Sequence, residues 1–469
     1  MSSEQAPSVS DAEPAGTRSD ALRQHFYGAR HQYLMLGVFV AATLMLGIGP
    51  IVYDAEKYWT ASQGLLGTAP MADSVFWSFR GTLTAVVYIP AAALSALLGP
   101  QTAQFAILLQ NALVLGWFAT FLLPKFIAYW KPVTTRSRLA AVFLIWIVTV
   151  GFAPYALVDL YPVVAVIVAL LLLRSDTLFV ILFAGLISGF ALNLRPAFLV
   201  TAILLGVVAV IWKRWRGAFF ALGAVIGLVP QLIVNVVLSG VWSLWPPAQA
   251  SLVALQAGYA SYIVRYDTLM GAAVPQQFYC SPAMANQLLG TTLPASTGEL
   301  ASTFLGNMPN SIVFSLQKIA SALQWPASNP YTVPAPGIDE LFSLAITSIT
   351  VIGLLALLRL ALKTRAKWSS SAWQNWAALA AVVLSSVVTL VGAATESRFA
   401  LQLVLIGVVG CLTLPAITPR QAWARGRWWI VASLILVIVV SFFGYKGLSH
   451  PAAPGFADQA ICAALLDAR

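Results

Sequence analysis

Charge is the scarcest property of this chain. Asp, Glu, Lys and Arg make up 9% of its 469 residues, where an ordinary soluble domain carries about 25%. So little charge cannot clothe a water-soluble body of this size. Cysteine is nearly absent too: three residues exclude a disulfide scaffold. The three histidines, His25, His31 and His450, do not cluster, which argues against a zinc site built from His and Cys. No period of 20–50 residues recurs, so a solenoid is excluded and there is no sign of the paired repeats of many transporters.

What the chain has instead is apolar sequence. Hydrophobic residues make up 59% and the mean hydropathy is +0.83. Apolar runs recur from residue 33 to residue 445, many near the roughly 20 residues needed to cross a bilayer. These features define an all-α polytopic membrane protein. The net charge of +10 suggests nucleic acid only until its distribution is read. The basic residues lie in short clusters between apolar runs, the pattern of cytoplasmic loops, so no nucleic-acid partner is expected.

The clusters fix an expected topology. Residues 1–32 read as a disordered cytoplasmic tail, polar and rich in Ser, Ala and acids. Tyr33 to Val52 reads as an uncleaved signal anchor, with Arg18, Arg23 and Arg30 holding its start inside. Residues 53–81 then form a first outer loop. The next basic cluster is Lys125, Lys131, Arg136 and Arg138. If both intervening apolar segments crossed, this cluster would face outward. The expectation is therefore that Gly81 to Leu98 does not span but lies against the outer leaflet, bent at Pro90. Parity then gives eleven spans: an N-terminal module over 33–238, an extracytoplasmic insertion of short helices over 239–339, a C-terminal module over 340–445 and an outer tail over 446–469. This assignment puts 18 of the 26 Lys and Arg inside and 11 of the 16 Asp and Glu outside, which favours it over the opposite parity. Cys280 and Cys462 both fall outside, where an oxidising compartment permits a bridge; two unrelated thiols fit equally well.

The same topology gathers polar residues on one face. Asp54, Glu56, Lys57, Asp73 and Arg80 come from the first loop, Asp159 and Tyr161 from the second, Arg195 from the third, and Glu396 and Arg398 from a late one. Charge near a bilayer is costly and persists mainly where something uses it. Carboxylates beside arginines suit a reaction in which a base takes a hydroxyl proton while guanidiniums hold a phosphate leaving group. Arg265-Tyr266-Asp267 is a weaker candidate in the insertion. Trp242, Trp245 and Trp325 read as interfacial anchors.

The order of these motifs resembles the GT-C glycosyltransferases. An acidic motif, Asp54-Ala55-Glu56-Lys57-Tyr58, opens the first outer loop. Phe79-Arg80-Gly81 precedes the juxtamembrane helix. Asp159 stands in the second loop, Leu194-Arg195-Pro196 forms a turn, and Glu396-Ser397-Arg398-Phe399 enters a late span. The resemblance covers most of residues 33–415, each motif being short. It implies a GT-C-like bundle in the bacterial plasma membrane, using a polyprenyl-phosphate sugar on the extracytoplasmic face. Carried over by residue, Asp54 is the general base of an inverting transfer and Asp159 aligns the acceptor. Glu56, Lys57, Arg80, Arg195, Glu396 and Arg398 serve substrate or donor phosphate. The family pattern sometimes places Glu directly after the catalytic Asp; here Ala55 intervenes. A divalent cation (Mg²⁺, Mn²⁺ or Ca²⁺) held by Asp54, Glu56 and Asp159 is compatible with oxygen-only ligands. The acceptor is a cell-envelope glycan, lipid or protein. The rival readings are a lipid-linked polysaccharide polymerase or ligase, and a transporter or flippase.

Overall fold

The apolar runs fold as helices. The computed structural model describes residues 18–269, 276–280, 294, 296–364, 370–414 and 419–448. The first helix, α1 (Arg18–Leu44), starts well before the expected anchor. The tail read as disordered to residue 32 is thus helical from Arg18, where Ala, Leu, Arg and Gln extend a helix already nucleated by the apolar run.

The first outer loop folds into α2 (Tyr53–Leu65) and α3 (Ser74–Phe79), the latter N-capped by the Asp73 carboxylate on Phe76 N at 2.8 Å. Two short helices follow, α4 (Leu83–Val86) and α5 (Ile89–Leu98). Then α6 (Ala103–Trp117) runs through a π-type turn into α7 (Leu123–Ile127). The order continues with α8 (Thr135–Thr149), α9 (Leu160–Leu172), α10 (Leu178–Leu194), α11 (Leu199–Lys213) and α12 (Gly217–Ser239).

The insertion holds α13 (Gln249–Tyr262), α14 (Thr297–Gly306) and α15 (Met308–Ala322). Short helices alone were expected from sequence, but the insertion also contains strands. Strands β1 (Ile263–Leu269), β2 (Gln276–Cys280) and β3 (Tyr331–Thr332) form a small sheet in the order β2-β1-β3. The first pair is antiparallel and the second parallel, with Thr268 opposite Tyr331. The chain ends in α16 (Ile338–Thr364), α17 (Ser370–Gly392), α18 (Ser397–Thr413) and α19 (Pro419–Gly447).

Five helical stretches among the described residues are long and apolar enough to cross a membrane: Pro100–Ile127, Pro196–Ser239, Ile338–Thr364, Ala372–Gly392 and Gly426–Gly447. Eleven spans were expected. The difference has a physical reason. Helices α8, α9, α10 and α18 have 13–17 residues, short of the roughly 20 that cross hydrocarbon. An all-round apolar helix is equally a core helix, and α18 is buried along nearly its whole length. The stretch Pro196–Ser239 is one helical run that folds back at Arg214, whose φ of 52° brings Gly217 against Val210.

Tight helix contacts depend on glycine. On α10 and α12, Gly185 and Gly189 face Gly223 and Gly227; a Cβ on Gly185 would stand 1.9 Å from Phe220 O, and one on Gly223 1.9 Å from Leu182 O. Small residues four apart let two backbones approach this closely. The same device joins α16 to α18 through Gly353, Gly407 and Gly410.

The helices define two ends. At one, Lys213 pairs with Asp176 at 2.8 Å, the Arg174 guanidinium lies 3.9 Å from the Tyr129 ring centroid, and Lys131 donates to Leu414 O. Helix α6 runs antiparallel to α1, with Phe121 against Tyr33 and Gly116 against Leu36 and Phe39. Ala103 and the end of α1 therefore share the opposite end. Arg80 reaches Asp54 there, so residues 81–98 begin and finish at the same end of the bundle.

Candidate functional site

That opposite end holds the ionisable cluster. Asp54 sits in the first turn of α2, part-buried. Its Oδ1 accepts from Arg80 Nη2 at 2.7 Å and its Oδ2 from Arg398 Nη1 at 3.2 Å. Arg398 also pairs through Nε with Glu396. Arg195 pairs with Asp159, and both are buried. A small cavity of about 20 Å³ links the two halves, lined by Asp159, Arg195, Ser386, Thr389, Arg398 and Gln402. It has room for one water-sized group. The second carboxylate oxygen of Asp159 is buried with no hydrogen-bond partner among the described residues. Buried polar atoms are rarely left so, and such an atom calls for an explanation.

Each side chain is placed by identifiable contacts. Arg80 is the residue after α3, and the chain beyond it is pinned: Thr82 N donates to Gln231 Oε1 and Leu83 N to Asn193 Oδ1, both at 2.8 Å. Gly81 lies so close to α10 that a Cβ would stand 1.7 Å from Asn193 O. The second loop is held by Asn111, which donates to Ala153 O and Tyr155 O at 2.9 Å, and by the Tyr88 hydroxyl on Leu157 O at 2.7 Å. Tyr161 belongs to this scaffold, donating to Asn111 at 2.8 Å. Arg195 is the C-cap of α10, and Glu396 is the N-cap residue of α18.

Burial opposes ionisation of Asp54, but the Arg80, Arg398 and Arg195 guanidiniums outweigh it and hold the carboxyl well below the usual carboxylate range. Burial, then the neighbouring Arg398, lowers Arg195 to about 10, still protonated at neutral pH. Three guanidiniums against three carboxylates make a compact, nearly neutral cluster with paired anion-binding forks.

The structure thus brings together Asp54, Asp159, Arg80, Arg195, Glu396 and Arg398. It does not bring in Glu56 or Lys57, which are exposed on α2 with no side-chain hydrogen bond or ion pair among the described residues. The helix explains this. Its buried face carries Ala55, Tyr58, Trp59 and Ser62, and Glu56 and Lys57 project from the other side. Asp54, Glu56 and Asp159, left open as ligands for a divalent cation, are not arranged to share one. Asp54 lies between two guanidiniums, Asp159 is paired with Arg195, and Glu56 is turned away. Among the described residues no three His, Cys, Asp or Glu side chains gather to hold a metal.

Sequence reasoning missed two tyrosines. Tyr58, buried, lies under Arg80 with the guanidinium 5.6 Å from its ring centroid. Tyr331 in β3 accepts from Ala55 N at 3.2 Å; burial and then the Asp54 charge push its hydroxyl up. Tyr58 had a signal, lying four residues after Asp54 on one helix face. Tyr331, 276 residues from its partner, had none. Trp325 is a fully buried core residue beside Phe152, not an interfacial anchor; Trp242 is exposed. The side chains of Arg265, Tyr266, Asp267 and Cys280 and all of Cys462 lie outside the described residues.

The glycine at the Arg80 hinge is testable. Gly81→Ala should destabilise the protein by about 1–3 kcal/mol through overpacking against α10 and shift Arg80, read as a lower midpoint of thermal unfolding in detergent. An unchanged midpoint would show that the chain around residue 81 has room to move.

Comparison with family models, with curated proteins and with solved structures returned no match. The fold and cluster therefore define a class by themselves: an all-α membrane protein with acid–guanidinium pairs gathered at one end of its bundle.

Proposed function

We propose that this protein is an integral membrane inverting glycosyltransferase. It moves a monosaccharide from a polyprenyl-phosphate donor to a hydroxyl of a cell-envelope acceptor on the extracytoplasmic face. The observation that carries the reading is Asp54 held between Arg80 and Arg398, next to the buried Asp159–Arg195 pair, at one end of an apolar bundle.

The donor phosphate offers the guanidiniums a second anion. As Arg80 and Arg398 turn to it, Asp54 loses the partners that suppress its basicity and becomes a proton acceptor. It takes the proton of the acceptor hydroxyl. That oxygen bonds to the sugar C1 from the face opposite the phosphate. The C1–O bond to phosphate breaks, and its electron pair leaves with polyprenyl phosphate, stabilised by Arg80, Arg195 and Arg398. The partnerless Asp159 oxygen accepts from a second substrate hydroxyl, giving orientation. Residues 81–98, which leave and re-enter at the site's end, lie along the outer leaflet. The lipid tail enters between helices from the side.

The buried charged residues among those described, Asp159, Arg195, Lys318 and Glu396, stand at or beside this cluster. A transporter is expected to place such groups along a path through the midplane, so the enzyme reading is preferred.

Two measurements test it. Purified protein should release polyprenyl phosphate from a polyprenyl-phosphate monosaccharide in the presence of envelope extract. Turnover of a lipid-diphosphate oligosaccharide alone would replace this reading with a polymerase or ligase, and turnover of neither would remove it. For sidedness, single cysteines at exposed Glu56 and Thr134 are placed in a background without native cysteines. A membrane-impermeant maleimide should label Glu56→Cys in intact cells, and Thr134→Cys only after permeabilisation. The reverse pattern would put the site on the wrong face.

A further inference from the structure

Lys318 on α15 is fully buried, outside the cluster described above. An ammonium has three donors and no acceptor, and all three are used. Lys318 Nζ donates to Ala260 O at 2.9 Å, Val391 O at 3.0 Å and Ala393 O at 2.7 Å. Two of these carbonyls belong to the C-terminal end of α17 and the turn after it, where a helix leaves carbonyls unpaired and its dipole favours a cation. The third belongs to α13. The same turn is held from α13 by Gln256, whose Oε1 accepts from Ala394 N at 2.9 Å. Two residues after Ala394 is Glu396, which pairs with Arg398, which reaches Asp54.

A buried lysine is an expensive way to join helices. Taking an ammonium out of water costs free energy that only good hydrogen bonds offset. Burial lowers the Lys318 ammonium to about 7. What the ammonium does that a methionine cannot is fix three backbone oxygens from two segments around one point.

We infer that Lys318 is a positioning residue: with Gln256 it clamps the turn over residues 391–395, so that the insertion sets the aim of Arg398 at the anion-binding cluster. Its consequence for catalysis rests on the proposed function, but the clamp itself does not. The inference gives the insertion a part in holding the site together, so that movement of α13 or α15 is felt at Arg398.

The test uses the full chain in nanodiscs, with a C55 polyprenyl phosphate as probe. Lys318→Met should weaken probe binding about tenfold, and in an Arg398→Ala background it should add nothing further, since residues acting through one another are not additive. Equal loss in both backgrounds overturns the inference, because a merely structural lysine would act independently of Arg398. Lys318→Arg, which keeps the charge and donors, should recover most of the affinity; affinity as low as in Lys318→Met counts against the clamp. Should Lys318→Met fail to fold, Gln256→Met removes a single bond to the same turn and should show the same non-additivity on a smaller scale.

Hydrogen exchange separates this inference from the function it rests on. If the wild type does not bind the probe, the phosphate reading fails. The clamp is still decided by amides 394–399, which should exchange faster in Lys318→Met while residues 346–357 are unchanged. Equal exchange in the two proteins would show that Lys318 holds nothing there.

Discussion

Asp54→Asn should lower sugar transfer by a factor on the order of 10²–10⁴, the usual contribution of a positioned general base, with little loss of folded protein. Asparagine keeps the shape and one acceptor oxygen for Arg80 or Arg398, but it takes no proton. Asp54 is ionised across the neutral range because its neighbours hold it so. A carboxyl whose folded pKa is depressed contributes stability above its unfolded value of about 4, lost only as pH falls toward the folded one. Above pH 5, then, protonation of Asp54 in the free protein removes neither fold nor activity. Under the proposed function donor binding would change this, because the phosphate would take the guanidiniums and leave the carboxyl more basic. The acid limb of kcat, which reports the bound state, should therefore lie at higher pH than that of kcat/KM, which reports the free one. Rates of Asp54→Asn and the two pH profiles check both points. Coincident limbs would mean that the arginines do not leave Asp54, and near-normal turnover would end its role as base.

The largest structural effect is expected at Gly353. A Cβ there would stand 1.8 Å from Gly407 O, and Gly410 approaches Gly353 O in the same way at 1.9 Å. Backbone meets backbone, so no side chain can rotate aside. Gly353→Leu should cost more than about 4 kcal/mol, the range reserved for severe core disruption, and folded protein should fail to accumulate in membranes. Gly206 on α11 is the control, because a Cβ there meets nothing within 4 Å. Gly206→Leu should express and melt like the parent, since at such a site only the small helix-propensity gain remains. Folded Gly353→Leu at normal yield would show that α16 and α18 can separate without loss. The cluster feels this contact directly, because α18 carries Arg398.

Composition was enough to read a helical membrane protein, because a burial requirement leaves its mark on every residue. It was not enough to count spans. Helices such as α9 and α18 are as apolar as any membrane segment, yet protein buries them, and hydropathy does not distinguish protein from lipid as the apolar neighbour. The cluster was legible where a costly charge stood at the end of an apolar run, as with Asp54, Asp159, Arg195 and Arg398. It was misread where helical phase decided the matter, as with Glu56 and Lys57, which share a stretch with Asp54 but not its face. Tyr331 and Lys318 carried no local signal at all. Their roles come from contacts across the whole chain, and the strand that presents Tyr331 is two residues long, too short to announce itself among helices.

The Asp54–Arg398 pair joins residues 344 positions apart. At the usual pace of the ribosome, Asp54 exists without Arg398 for roughly 20–70 s. Through that interval the nascent chain holds Arg80 but not Arg398 against Asp54, so a stalled or truncated product lacks the completed cluster. The cluster is therefore closed late in synthesis, an order in time set by the distance between two residues along the chain.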